Sequence, residues 1–583
     1  MGKKYYTSER NVQIIISLLK ANGIKRVIAS PGTTNMTFVG SIQQDPFFEI
    51  YSSVDERSAA YLACGMAAET GEPVVLSCTG ATASRNYMPG LTEAYYRKLP
   101  VLAITSHRGD YQIGHLIDQQ IDRRSLPNDI AIEHVVIPMV KDRNDEKYCT
   151  IEANKAILAL KLNGGGPVHI NMFTSYSPDF SIRELPPTRV IRRHTIHDKL
   201  PELPKTGHIA IFVGAHKDFN EEETIAIDAF CASNDAVVFC DHTSNYHGKY
   251  ETHMSLVFGQ ENYISPLKNI NLMIHIGEVT GDVYRAIPQH VWRVSEDGAL
   301  RDSFATLTDM FMMPEKEFFT YYATEEGTNN SFLKMCLSEY ESLYNDIPEL
   351  GFSNVWIALQ LSKAIPCGSE IHLGIYNSLR SWNFFHLPEG VKAQSNVGGF
   401  GIDGGLSTLI GASLTNPNKL FFGVFGDLAF FYDLNVLGNR HVGNNVRILL
   451  INNGKGNEFR LYCHPCKIFG EDAEPYMAAA GHYGNKSDQL VRHYAEDLGY
   501  KYLCASTKEE FLSHLSCFCQ PHTQEKPIVF EVFTDTYSES DALKAIRSIK
   551  TDTTLALKNK MTNAIREVIG KSGVETIKKV IGR

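Results

Sequence analysis

The chain has 583 residues, 43% hydrophobic and 21% charged, with a formal net charge of −10. That length exceeds one hydrophobic core and points to about three or four domains, while the composition excludes disordered and fibrous classes. The diluted negative charge argues against a nucleic-acid binder. Twelve Cys without dense spacing fit a reducing, cytoplasmic setting better than a disulfide scaffold. The first residues form no secretory signal, and no run reaches the ~20 apolar residues of a membrane span.

In chain order, Glu9 to Ala21 has helical spacing, and Val27-Ile28-Ala29 reads as a strand ending at Ser30-Pro31-Gly32. Ile50 to Val54 is strand-like, Asp55-Glu56-Arg57 forms a turn, and Ser58 to Thr70 is a small-residue helix. Strands follow at Val74–Ser77, Val101–Ile104 and Pro167–Ile170. The Pro-rich stretch 185–206 reads as a linker. A second unit carries strands at Ile209–Val213, Ala236–Phe239 and Leu272–His275, and the acidic, strand-poor region 313–347 closes it. In the third unit Leu420–Phe425 and Val446–Ile451 are apolar runs of the buried parallel type. Alternating elements with short loops predict an α/β fold of three doubly wound parallel sheets. The expected domains are 1–185, 186–350 and 351–542. A basic tail, 543–583, follows with ten Lys/Arg against three Asp/Glu. Ile565, Val568, Ile569, Ile577, Val580 and Ile581 give the tail an amphipathic helical pattern that docks on the protein itself or on an anionic membrane.

The most informative feature is Gly426-Asp427 at the end of one apolar run and Asn452-Asn453 at the end of the next, 26 residues after Asp427. Open parallel sheets bind ligands at their carboxyl edge. A carboxylate and an amide there supply the hard oxygen ligands that suit Mg²⁺ shared with a phosphate. Two weaker signals compete. Gly399-Phe400-Gly401-Ile402-Asp403-Gly404 fits a dinucleotide-binding pattern, but such a site needs neither the Asn pair nor an Asp-Glu-Arg turn. Cys463, His464 and Cys466 with Cys517, Cys519 and His522 lack the paired spacing of a structural zinc site.

The Gly-Asp to Asn-Asn spacing resembles the diphosphate-anchoring motif of thiamine-diphosphate enzymes. Further motifs resemble one branch of that family, the menaquinone-pathway 2-succinyl-5-enolpyruvyl-6-hydroxy-3-cyclohexene-1-carboxylate synthases. They are Ser8-Glu9-Arg10-Asn11, Ser30-Pro31-Gly32, Asp55-Glu56-Arg57-Ser58, Cys78-Thr79-Gly80, Asn86-Tyr87-Met88-Pro89, Ser395-Asn396 and Gly401-Ile402-Asp403-Gly404, besides the Asp427 and Asn453 region. The likeness covers about 1–180 and 370–465.

The resemblance implies thiamine diphosphate and Mg²⁺ as cofactors. Asp427, Asn453 and the Lys455 carbonyl would hold the metal, and Gly426, Leu428 and Ala429 the diphosphate. Ile402, beside Gly401, would wedge the cofactor into its bent form. Glu56 would hold the aminopyrimidine and activate the thiazolium, in a first-domain pocket with Pro31, Thr79 and Asn86. Gln119 would reach the reacting centre. Thr33, Thr34, Asn35, Arg108 and Arg380 would face substrate. His107 and His115 are open as proton shuttles or plain loop residues. The implied reaction decarboxylates a 2-oxo acid and transfers the acyl-anion equivalent to a carbonyl acceptor. A simple decarboxylase and a non-catalytic cofactor-binding homologue are the alternatives. Because Glu56 and Asp427 lie in different domains, the family's arrangement implies a homodimer or homotetramer with sites between subunits. Two positions depart from the branch: Thr34 and Val397 stand where arginines would hold substrate carboxylates.

Overall fold

The structure, a computed structural model, describes residues 4–282, 286–325, 327, 330–555 and 557. It separates into two compact units, one of residues 1–200 and 295–313, the other of 201–294 and 314–583.

The first unit is built on six strands: β1 (Arg26–Ala29), β2 (Glu49–Ser52), β3 (Val74–Cys78), β4 (Val101–His107), β5 (Glu133–Ile137) and β6 (Val168–Phe173). Their order is β2-β1-β3-β4-β6-β5, all parallel. Every residue of β3 and β4 is buried, the consequence of continuous apolar runs covered by helices on both faces. One face packs on the helices Arg10–Ala21 and Arg143–Ala159 through Ile15, Leu19, Ala153 and Ile157. The other packs on the helix Glu56–Thr70, where Ala59, Ala60, Ala63 and Ala67 allow close approach.

The stretch expected to be a linker carries a strand, β7 (Arg192–Thr195). Arg192-Arg193-His194-Thr195 has no apolar period. It is extended because it pairs with β13 (Leu307–Met312), more than a hundred residues later. His194 adds a 2.8 Å contact to Asp309 across that pair.

The second unit holds two further parallel arrays. One contains β8 (Ile209–Val213), β9 (Val237–Phe239), β10 (Glu251–Thr252), β11 (Asn269–Ile276) and β12 (Ile287–Val294), in the order β10-β9-β8-β11-β12. The other has β14 (Glu370–Leu373), β15 (Lys392–Gln394), β16 (Phe421–Gly426), β17 (Val446–Asn452), β18 (Lys501–Ala505) and β19 (Ile528–Phe533), ordered β15-β14-β16-β17-β19-β18. The protein is thus an α/β chain of three parallel sheets. β17 is buried throughout and pairs with β16 from Phe421↔Val446 to Gly426↔Ile451, so the two expected ligand-bearing ends emerge side by side.

The start of the basic tail docks on its own unit. The helix Thr536–Ile546 leads to Arg547, whose carbonyl accepts from Glu261 N–H at 2.9 Å, and Lys550 Nζ sits 4.1 Å from the Tyr263 ring centroid. The amphipathic pattern Ile565 to Ile581 lies outside the described residues. Among the described residues no helix is long and apolar enough to cross a membrane.

Candidate active site

In the second unit Asp427 follows β16 directly, as the first residue of the helix Asp427–Tyr432. The residue is 4% exposed, and its carboxyl is approached by the N–H groups of Leu428 (2.8 Å), Gly454, Lys455 and Asn453. Burial pushes it up to about 7, against the pull of these four amides. Gly454 makes the turn possible, since its φ of +75° is a conformation side chains disfavour.

The Asn pair divides its labour. Asn452 Nδ2 donates to Glu531 Oε1 at 2.7 Å and its Oδ1 accepts from Gly454 N–H at 3.1 Å, so it fixes β17 and the turn. Asn453 Oδ1 is buried with no hydrogen-bond partner. A buried carboxylate and an orphaned amide oxygen at the adjoining ends of β16 and β17 form a hard-oxygen donor set that a divalent cation satisfies. Among the described residues no group of three His, Cys, Asp or Glu is able to hold a metal, which leaves the Cys463 and Cys517 regions without a zinc cluster.

Leu428 and Ala429 occupy the first turn of the helix after Gly426. Gly401 is exposed and Ile402 half-buried in the loop before Gly405. The helix Gly405–Ser413 that follows is tied to the end of the helix Asp427–Tyr432 by Asp433, which accepts from Ser407 N–H (2.5 Å) and Oγ (2.7 Å). Val397 is buried against Gly281, where an added Cβ would lie 3.0 Å from its Cγ1. Arg380 lies on the helix Asn377–Trp382, with Nη1 2.7 Å from Glu458 Oε1. Lys455 Nζ is held at 2.6 Å by Glu474.

In the first unit the candidate residues gather at the carboxyl edge of β1 to β4. The Ser30-Pro31-Gly32 and Cys78-Thr79-Gly80 turns touch, because a Cβ on Gly32 would fall 1.7 Å from Thr79 Cγ2. Pro31 and Thr33 are exposed and Thr79 is half-buried. Thr34 is buried, its hydroxyl donating to Ser106 O (3.2 Å) and accepting from Ser106 Oγ (2.9 Å). Asn35 Nδ2 donates to Ser30 O at 3.0 Å.

The helix expected from Ser58 begins at Glu56, and its cap is Asp55, which accepts from Arg57 N–H and Ser58 N–H at 3.2 and 3.3 Å. Glu56 is therefore not needed as the cap. It is half-buried, and Asn86 Nδ2 donates to its Oε2 at 3.3 Å. Arg108 Nη2 donates to the Asp118 carbonyl and lies 3.5 Å from the Asp118 carboxylate. Gln119 is exposed at φ +58°, in a loop whose Leu116 is also at positive φ. His107 is buried, 2.9 Å from Asn171 Nδ2, and held down to about 4 by burial and by the Arg123 charge. It is neutral near pH 7 and unsuited to carry a proton there. His115 is exposed in the loop.

Three groups escaped the sequence reading. Arg123 is buried with both terminal nitrogens unpartnered. Arg547 follows the helix Thr536–Ile546. Glu539 is buried and accepts from Asn354 N–H (3.0 Å) and Thr534 Oγ1 (2.7 Å). Burial first, then the Asp535 and Asp427 charges, push Glu539 up to about 7. In sequence it is an ordinary first-turn acid, so only the fold reveals it. A group raised in the folded state stabilises below its unfolded value, and that contribution is lost as pH rises through about 7. The melting temperature of Glu539→Gln should therefore rise relative to wild type between pH 5 and 8. A constant difference in melting temperature across that range would contradict this placement.

A buried acid–amide corner in one unit and an acid-bearing turn in the other agree with the resemblance to thiamine-diphosphate-dependent enzymes, and the comparisons with known proteins point the same way. Residues 10–126 match the family described as thiamine pyrophosphate enzyme, N-terminal TPP binding domain. Over most of its length the chain is similar to proteins named 2-succinyl-5-enolpyruvyl-6-hydroxy-3-cyclohexene-1-carboxylate synthase. It is 28% identical to that of Bacteroides thetaiotaomicron over 578 residues, covering 92% of this chain and 98% of the relative. It is 29% identical to that of Bacteroides fragilis, again 92% and 98%, and 27% identical to that of Flavobacterium johnsoniae, 91% and 97%.

Proposed function

We propose that the chain decarboxylates a 2-oxo acid with thiamine diphosphate and Mg²⁺ and joins the acyl-anion equivalent to an acceptor. The observation that carries this reading is the buried Asp427 carboxyl against the 453–455 turn, with Asn453 Oδ1 left unpartnered beside it. Asp427 and Asn453 would hold Mg²⁺ through side-chain oxygens, with the Lys455 carbonyl as third ligand. Leu428 and Ala429 would meet the diphosphate at the helix start, where backbone N–H groups favour anions. Bound thiamine diphosphate supplies a stabilised carbanion and an electron sink. Glu56 holds and returns the proton that prepares the cofactor, with Asn86 orienting its carboxyl. Gln119, Ile402 and the first-domain turns orient the reactants.

The relatives' name supports joining to an acceptor over release of an aldehyde. Glu56 and Asp427 lie in different domains, so a site that uses both fits assembly from two subunits, and a homodimer or homotetramer belongs to the proposal. Light scattering of the purified protein should give at least twice the 65.2 kDa chain mass; a pure monomer that turns over 2-oxo acid would contradict this part.

The substrate pair is expected to differ from that of the menaquinone-pathway synthase. Thr34 and Val397 are buried without charge, and the other two candidate arginines face acids, Arg108 with Asp118 and Arg380 with Glu458. Each missing charged hydrogen bond to a buried carboxylate costs roughly 2–5 kcal/mol, so two weaken transition-state binding by a factor on the order of a thousand or more. Side-by-side assays should show decarboxylation of a less acidic 2-oxo acid such as pyruvate and little turnover of 2-oxoglutarate with isochorismate. Efficient consumption of the latter pair would show that other groups supply the charge.

A further inference from the structure

In the second unit a cavity of about 390 Å³ opens between the loop joining β9 to β10 and the segment 386–393 that runs into β15. That volume falls within the ~300–1,000 Å³ range of small-molecule sites. Three carboxylates line it, Asp241, Glu251 and Glu389, and among the described residues no Lys or Arg does. The neighbouring Lys392 is taken by Asp218. The side-chain donors around the space are committed elsewhere. Tyr246 Oη–H donates to Asp228 at 2.5 Å and Asn245 Nδ2 to the His216 carbonyl at 2.6 Å. His242 Nε2 lies 3.0 Å from both the Trp382 and Phe385 carbonyls, so its hydrogen is there and Nδ1 carries a lone pair. Burial, then the neighbouring His253, hold His242 down to about 3, so the ring is neutral near pH 7. The acceptors are what remain. His242 is 7% exposed, and its Nδ1 has no partner yet is not enclosed, which opens it to the cavity that the ring lines. Glu251 keeps 26% of its side chain exposed; Oε1 meets His253 Nε2 at 2.7 Å, but Oε2 has only His247 Nδ1 at 3.6 Å. Against the upward push of burial, those two rings hold Glu251 down to about 2, so it is ionised. Asp241 accepts from Thr243 N–H and Oγ1, Thr280 Oγ1 and Gly281 N–H, none of them charged. His247, raised by Glu251, offsets this negative charge only in part.

We propose that this cavity binds a small organic cation bearing ammonium N–H groups, of the alkyl diamine class. Its N–H groups donate to Glu251 Oε2 and His242 Nδ1, and exposed Glu389 adds negative charge on the wall. An anion would meet three carboxylates and no lining Lys or Arg. A neutral diol can donate to the same acceptors but leaves the charge unanswered, and a quaternary ammonium carries the charge but leaves the acceptors unpaired. A metal ion fits less well, because among the described residues no group of three His, Cys, Asp or Glu is placed to hold one. The inference is independent of the decarboxylation reading, since neither Glu56 nor Asp427 lines this space.

Calorimetric titration of the full-length protein with 1,4-diaminobutane should show saturable binding. 1,4-Butanediol, which matches its length without charge, and tetramethylammonium, which has charge but no N–H, should each bind about tenfold more weakly or not at all. Glu251→Gln should weaken the diamine about tenfold, the loss expected of one charge-assisted hydrogen bond. Glu389→Gln should weaken it a few-fold, and Glu69→Gln, an exposed acid of the first unit, should leave it unchanged. Thermal melts show which variants are folded; should Glu251→Gln not fold, Glu389→Gln carries the test. No binding of the diamine at millimolar concentration, or equal binding of the diol or of tetramethylammonium, overturns the proposal in the wild-type protein. An affinity that the folded cavity variants do not lower, or that Glu69→Gln lowers as much, overturns it as well. So does Zn²⁺ binding that excludes the diamine and is lost in His242→Gln, which would give the space to a metal.

Discussion

Asp427→Ala is expected to weaken thiamine-diphosphate binding in the presence of Mg²⁺ by about a hundredfold or more. Removing a charged partner from a buried ionic contact costs roughly 2–5 kcal/mol, and every 1.4 kcal/mol is tenfold in affinity. The wild-type carboxyl also accepts from Leu428 N–H and lies near those of the 453–455 turn, so the Ala variant disturbs that turn as well. Asp427→Asn separates these effects, because its amide oxygen still accepts N–H groups but carries no charge. Both variants should lose affinity, with Asn retaining the wild-type melting temperature more closely. Unchanged calorimetric affinity in either variant would remove Asp427 from the metal site.

Glu56→Gln is expected to leave cofactor affinity within a few-fold of wild type and to slow exchange of the cofactor's C2 proton about a thousandfold. Proton transfer by a positioned side chain contributes typically 10²–10⁴-fold, and an amide cannot take the carboxylate's part. The structure makes this a clean substitution. Asp55, not Glu56, caps the helix, and the contact with Asn86 Nδ2 can be kept by the Gln oxygen. Deuterium incorporation read by NMR measures the rate. Exchange at the wild-type rate would reduce Glu56 to a turn residue.

The central strands β3, β8 and β17 were legible because they are buried throughout, so their sequences are largely apolar runs; β8 falls where Ile209–Val213 placed it. β7 was not, since Arg192–Thr195 is extended only through its pairing with β13. The Gly-Asp and Asn-Asn spacing located one end of the candidate site, because register brings the ends of β16 and β17 together. Spacing could not say which Asn is orphaned; that follows from Glu531 on β19, which claims Asn452. Nor could it show that Arg108 and Arg380 face acids, for Glu458 lies 78 residues from its partner. Glu539 and Arg547 were invisible for a related reason. Glu539 is notable for its burial and Arg547 for its place beside Cys463 and the 458–465 segment, and neither property is local in sequence.

The account stands most directly on metal-dependent cofactor binding by the wild-type protein. Calorimetric titration of the full-length chain with thiamine diphosphate should show saturable binding, one cofactor per chain, in Mg²⁺, and its loss after the divalent metal is removed with EDTA. Binding of equal strength without metal, or no binding with it, would contradict the assignment of Asp427 and Asn453 and the function built on them.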